Sequence, residues 1–169
     1  MPNNKKPRKV MGKRPIRRSG GLFVIHKRNQ DEKRKQFLTT DEVVKHSTAY
    51  HTAVDLMVAG QATLWNFDTL IHSTNVMCII AEQMAPDLLL IILPSLDGLS
   101  RARKRFQDTG KIGLDGDALN ALKAAADIHE SLLEQCTAGE LSDALEEAYR
   151  RVSVGHIFKG LKEPHTFVE

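Results

Sequence analysis

Between Thr39 and Val152 the apolar residues recur mainly three and four positions apart, the spacing that aligns side chains on one face of an α-helix. Thr39-Thr40-Asp41-Glu42 reads as a capping box, in which the Thr39 hydroxyl accepts from the Glu42 amide and the Glu42 carboxylate reaches back. The helix it predicts runs to about Ala59, with Val43, Ser47, Tyr50, Val54 and Met57 on one face and Gly60 as its stop. A second helix is expected from about Leu64 to Met84, with Phe67, Leu70, Ile71, Thr74, Met77, Cys78 and Ala81 along its inner stripe. The short connection makes the two antiparallel neighbours.

Pro86, tolerated in a first helical turn, opens the stretch that reads as the central strut of the bundle. Leu88 to Leu93 is wholly apolar and Arg101 to Arg105 strongly basic, so one end is expected to be buried and the other wet. Pro94 removes a hydrogen bond to the Leu90 carbonyl, and a kink inside one continuous helix ending at Gly110 is expected rather than a break. After a turn-rich loop, Asp117 is the expected cap of a fourth helix, Ala118 to Cys136, facing inward through Leu119, Leu122, Ala126, Ile128 or His129, and Leu133. Thr137-Ala138-Gly139-Glu140 is a second capping box, starting a fifth helix to about Val152 with Leu141, Ala144, Leu145 and Ala148 inside. The pattern predicts an all-α bundle of about five helices over residues 38–152, preceded by a flexible arm (1–37) and followed by a loose tail (153–169).

Composition agrees with this class: aromatic residues are only 5% of the 169, and the length suits one domain plus a tail. Charge changes the picture more. Residues 1–37 hold 13 Lys/Arg against Asp31 and Glu32, a balance of +11, while the remainder holds 11 cations and 19 acids, a balance of −8. With its prolines and glycines, the arm cannot bury enough apolar surface to offset its ordering entropy, so it is expected to be disordered when free. Leu22-Phe23-Val24-Ile25 is a short β-prone island within it, an anchor strand or a sticky spot. Cys78 and Cys136 read as buried thiols of a reducing compartment. No apolar region suited to a signal peptide follows the basic N-terminus, and Glu82, Gln83, Asp87 and two prolines interrupt the most apolar window. A cytoplasmic protein without a membrane span is expected.

The basic residues are the best candidates for function. Lys5, Lys6, Arg8, Lys9, Lys13, Arg14, Arg17, Arg18, Lys27 and Arg28 in the arm would bind a polyanion by releasing condensed counterions, which needs no fixed fold. Arg101, Arg103, Lys104 and Arg105 would extend that surface, or would simply complement the negative end of a helix. Neither group distinguishes DNA from RNA. Other chemistry is weakly signalled. The seven histidines form no His-x-x-x-His, Glu-x-x-His or Cys-x-x-Cys spacing, so no metal site or cofactor is expected. Glu42 with His46, and His51 with Asp55, read as helix pairs, and His129 as a partly buried, satisfied histidine. Asp108-Thr109-Gly110, Gly110-Lys111 and Leu114-Asp115-Gly116-Asp117 lack the contexts of a protease triplet, a phosphate loop and a calcium loop. Nothing in the chain points to an enzyme.

The basic arm, Gly60-Gln61-Ala62-Thr63, Asn75-Val76, the run Arg105 to Lys111, and Ala125-Ala126-Asp127-Ile128-His129 together carry a resemblance over about residues 5–150. In these stretches the chain resembles small helical proteins of β-proteobacteria and their mobile elements, some of them labelled Fis-like regulators. The resemblance implies bacterial or phage origin, a cytoplasmic setting and a regulatory role, and no catalytic residues. The expected function is a non-enzymatic, nucleic-acid-associated regulatory or architectural protein, with a homodimer possible. The alternative is a protein-interaction module whose acidic body docks on a complex that handles nucleic acid, as a phage-encoded inhibitor or accessory protein would.

Overall fold

The computed structural model describes residues 29–154, and these form an all-α bundle. Residues 29–34 are helical, and five longer helices follow: α1 (Thr40–Val58), α2 (Leu64–Met84), α3 (Leu89–Thr109), α4 (Gly116–Gln135) and α5 (Ala138–Val154). A 3₁₀ turn, Pro86–Leu88, leads into α3. The expected arm cations up to Arg28, the Leu22–Ile25 island and the tail beyond Val154 lie outside the described residues.

Local chemistry starts most helices as the sequence predicts. Thr39 and Thr137 both make the reciprocal capping box, their backbone N–H groups donating to Glu42 and Glu140 at 2.8 Å. Thr63 makes a third with Asn66, which supplies the α2 start. The start of α4 differs from expectation. Asp115, not Asp117, is its cap, accepting the Ala118 N–H at 2.8 Å, and Gly116 takes the first helical position. Asp115 prevails because it has extended backbone and also meets two arginines of α3, a partnership invisible along the chain.

The centre of the bundle is α2, not the Pro86–Gly110 stretch. α2 packs against each of the other four helices, and every residue from Thr74 to Ala81 is buried. A helix apolar on all sides belongs inside, and Val76-Met77-Cys78-Ile79-Ile80-Ala81 leaves no face for water. α3 is instead an outer helix. Leu89, Ile92, Leu93, Leu96 and Leu99 face inward, whereas Leu90 is 69% exposed and Ile91 also faces solvent. That orientation explains how Pro94 is accommodated. It lies on the exposed side within one unbroken helix, so water can reach the Leu90 carbonyl it leaves unbonded. Gly98 meets α4 so closely that a Cβ there would stand 2.5 Å from the Ala118 Cβ. α3 ends at Gly110, whose φ of 70° suits glycine and whose N–H bonds the Phe106 carbonyl.

Residues 29–37, assigned by charge to the arm, are fixed to the body. Phe37 pairs with Thr137 in an isolated antiparallel bridge. The Ala138 N–H donates to the Gln36 carbonyl at 2.9 Å, and the Leu38 N–H to the Cys136 carbonyl at 3.1 Å. Gly139 permits the approach, since a Cβ there would lie 2.7 Å from the Arg34 carbonyl oxygen.

Candidate functional site

Of the four expected phosphate-binding residues on α3, two are held by the body. The Arg101 guanidinium grips Asp115 through two hydrogen bonds of 3.1 and 3.2 Å. Arg105 donates to the Gly113 carbonyl at 3.0 Å and lies 3.9 Å from the same carboxylate. The hydrogen bonds from Arg101 and from the Ala118 amide hold Asp115 below the usual carboxylate range, so it remains charged. The two arginines therefore tie the α3 C-terminus to the loop before α4. Lys104 remains exposed and Arg103 half-buried.

A similar neutralisation runs along α5. Arg34 pairs with Asp143. Glu147 accepts from Arg150 and Arg151, which hold its carboxyl down to about 2, and Arg151 also meets Glu82 of α2 at 2.6 Å. Arg151 is largely buried in this triad, which links the C-terminal half of α5 to the central helix. Glu140 is engaged in its capping box. Most of the acidic residues of α5 are thus committed to internal partners.

A cavity of about 190 Å³ lies between α1, α2, α4 and α5. Its walls are mainly apolar, with Val76, Met77 and Ile80 from α2, Leu132 and Leu133 from α4, and Leu141 and Leu145 from α5. Three histidines, from three helices, line it: His46, His72 and His129. Their spacing along the chain gives no hint of this convergence. His129 is the unusual one. It is 7% exposed, and its ring stacks on the fully buried Tyr50 with centroids 4.9 Å apart. The Tyr50 hydroxyl has Thr74 as a partner at 3.4 Å, whereas Nδ1 of His129 is buried with no hydrogen-bond partner among the described residues. Desolvation, reinforced by His51 and His46, pushes the His129 pKa down to about 4, so the imidazole is neutral near pH 7.

Outside the cavity, His72 packs against Tyr149 with ring centroids 5.0 Å apart. Trp65 on α2 and Tyr149 on α5 are 78% and 66% exposed. The sequence pattern singled out neither, because an exposed aromatic residue off the inner stripe carries no periodic signal. The cysteines are chemically quiet. Burial pushes both thiols up, Cys136 to about 11, so neither is a ready thiolate. Among the described residues no group of three His, Cys, Asp or Glu side chains is placed to hold a metal ion, and no helix is long and apolar enough to cross a membrane. Comparison of the chain with protein-family models, curated proteins and solved structures finds no match.

Proposed function

We propose that this protein is a non-enzymatic, nucleic-acid-associated protein, regulatory or architectural, that engages phosphate backbone through its N-terminal arm while its helical body acts as a scaffold. The supporting observation is where positive charge lies and what already neutralises it. Residues 1–28 contain ten Lys/Arg and no Asp or Glu, whereas residues 29–154 contain 12 cations and 19 acids. In that body Arg34, Arg101, Arg105, Arg150 and Arg151 all end on carboxylates. The other seven body cations, Lys33, Lys35, Lys45, Arg103, Lys104, Lys111 and Lys123, lie among the 19 acids of the body, whereas the ten arm cations have no acid in their own segment, which favours the arm as the polyanion-binding element. Binding of this kind is driven by counterion release and weakens steeply with salt, by roughly 10³ to 10⁵ between 50 and 200 mM if six to ten phosphates are engaged.

The test is equilibrium binding of the full chain to duplex DNA, single-stranded DNA and RNA across a salt series. A full-length variant with the ten arm cations changed to Gln is measured in parallel. Salt-dependent binding lost in the variant supports the reading. Salt-independent binding, or equal binding by both proteins, overturns it.

A second reading rests on a different observation, the exposed Trp65 and Tyr149 on either side of His72. Large exposed aromatics anchor protein interfaces, so the body would dock on a protein of a nucleic-acid-handling complex through the α2–α5 face. Loss of a partner on Trp65→Ala with Tyr149→Ala, but not on arm neutralisation, would favour this reading.

A further inference from the structure

We infer that residues 155–162 of this chain fold back and cover the α2–α5 face, with Ile157, Phe158 and Leu161 against Trp65, His72 and Tyr149. Among the described residues nothing covers that face, and it is both aromatic and indented. Trp65 and Tyr149 are 78% and 66% exposed, and the His72 ring joins them, packing on Tyr149 and sharing a hollow of about 280 Å³ with Trp65. A second hollow, of about 230 Å³, adjoins the first between the two helices and is lined by Ile71, Ala148 and Val152 together with His72 and Tyr149. A space of about 150 Å³ already admits benzene, so either hollow takes one aromatic side chain. Contiguous exposed apolar surface of this kind marks a place that something covers.

Where the chain leaves the bundle selects the occupant. Val152 lines the second hollow and Val154 ends α5, so residues 155–169 start at the edge of the face. Phe158 follows Val154 by four residues, a reach of up to about 13 Å, whereas Trp65 and His72 are separated by about 10 Å along α2. Gly155, directly after the helix, is the residue type best suited to turning the chain back. Chemistry matches as well as reach. Residues 155–162 combine Ile157, Phe158 and Leu161 with Lys159 and Lys162 and contain no acid. Asp68 lines both hollows, is exposed and has no ion-pair partner among the described residues, so it complements those lysines. The N-terminal segment joins the body at the other end of α5, where Arg34 lies against Gly139. The inference does not rest on the nucleic-acid reading, and it makes the face of the second reading a closed one in the free protein.

Trp65 is the single tryptophan of the chain, so its fluorescence reports on the face directly. The test measures emission and acrylamide quenching in the full chain and in a full-length variant carrying Ile157→Ser, Phe158→Ser and Leu161→Ser. The expected result is a blue-shifted, protected Trp65 in the native chain. In the variant the emission should move to longer wavelength and quenching should rise severalfold, with the helical circular dichroism unchanged. Nuclear Overhauser contacts from the Trp65 indole to Ile157, Phe158 or Leu161 in the unsubstituted protein give a second measure that depends on no variant. A solvent-exposed Trp65 in the native chain, absence of those contacts, or protection that survives the three substitutions would overturn the proposal. Protection that appears only as protein concentration rises would assign the face to a second copy and overturn it equally.

Discussion

At the scale of single residues, His129 carries the clearest pH consequence. Its folded pKa, about 4, lies below its ordinary value of 6.5, so between these values the unfolded chain binds the proton that the native state excludes. Stability falls as pH drops through that window, by on the order of 3 kcal/mol. His72, also lowered by burial, acts in the same direction. The carboxylates held low by hydrogen bonds, Glu42, Asp115 and Glu147, lose their contribution in a more acidic range, below their ordinary values near 4. Urea midpoints should therefore decline from pH 7 to pH 5, and His129→Phe should flatten that limb but leave the decline below pH 4. Asp115 makes a second test, because it is both a cap and an anchor for arginines. Asp115→Asn keeps the cap and frees Arg101 and Arg105, so it should raise affinity for DNA with little loss of helix, whereas Asp115→Ala should also lower the melting temperature. The sequence made the capping boxes at Thr39 and Thr137 readable because their partners sit three residues away. It concealed the partners of Asp115 and the company of His129, which the tertiary fold brings from other helices.

Helices were more legible than their arrangement. The bounds of α2 and the starts of α1 and α5 follow from caps and spacing that act within a few residues. Which helix sits at the centre depends on how many of its faces are apolar. The unbroken run Val76 to Ala81 signalled that more truly than the Leu88–Leu93 run, two of whose members face water. The α3–α4 crossing is set by Gly98, and this yields a sharp prediction. Gly98→Ala forces a Cβ against Ala118 backbone and side-chain atoms at 2.9 and 2.5 Å, an overpacking expected to cost about 1 to 3 kcal/mol. Ala118→Gly in the same chain should recover part of that loss, a coupling measurable in a double-mutant cycle by denaturant unfolding. Gly113→Ala, where an added Cβ would meet nothing within 4 Å, is the matched control and should leave the midpoint almost unchanged.

For the molecule as a whole, the division into basic arm and acidic body was visible from charge alone, but its boundary was not. Residues 29–37 carry cations and so read as arm, yet Phe37, Gln36 and Arg34 attach them to the start of α5. A chain beginning at Leu38 should accordingly unfold at lower denaturant than one beginning at Asn29. The same attachment places the root of the arm beside Asp143 and Glu146 of α5, near enough for both to favour the charged form of Arg34. If the arm engages phosphate as proposed, Glu146, and Asp143 in exchange for Arg34, would compete with nucleic acid for its cations at the high local concentration that tethering gives. Rising salt then weakens the competitor along with the ligand, and the two effects oppose each other in the observed affinity. A free peptide of residues 1–28 should therefore show a steeper dependence of log K on log salt than the intact protein, and Asp143→Asn with Glu146→Gln should move the intact protein toward the slope of the peptide.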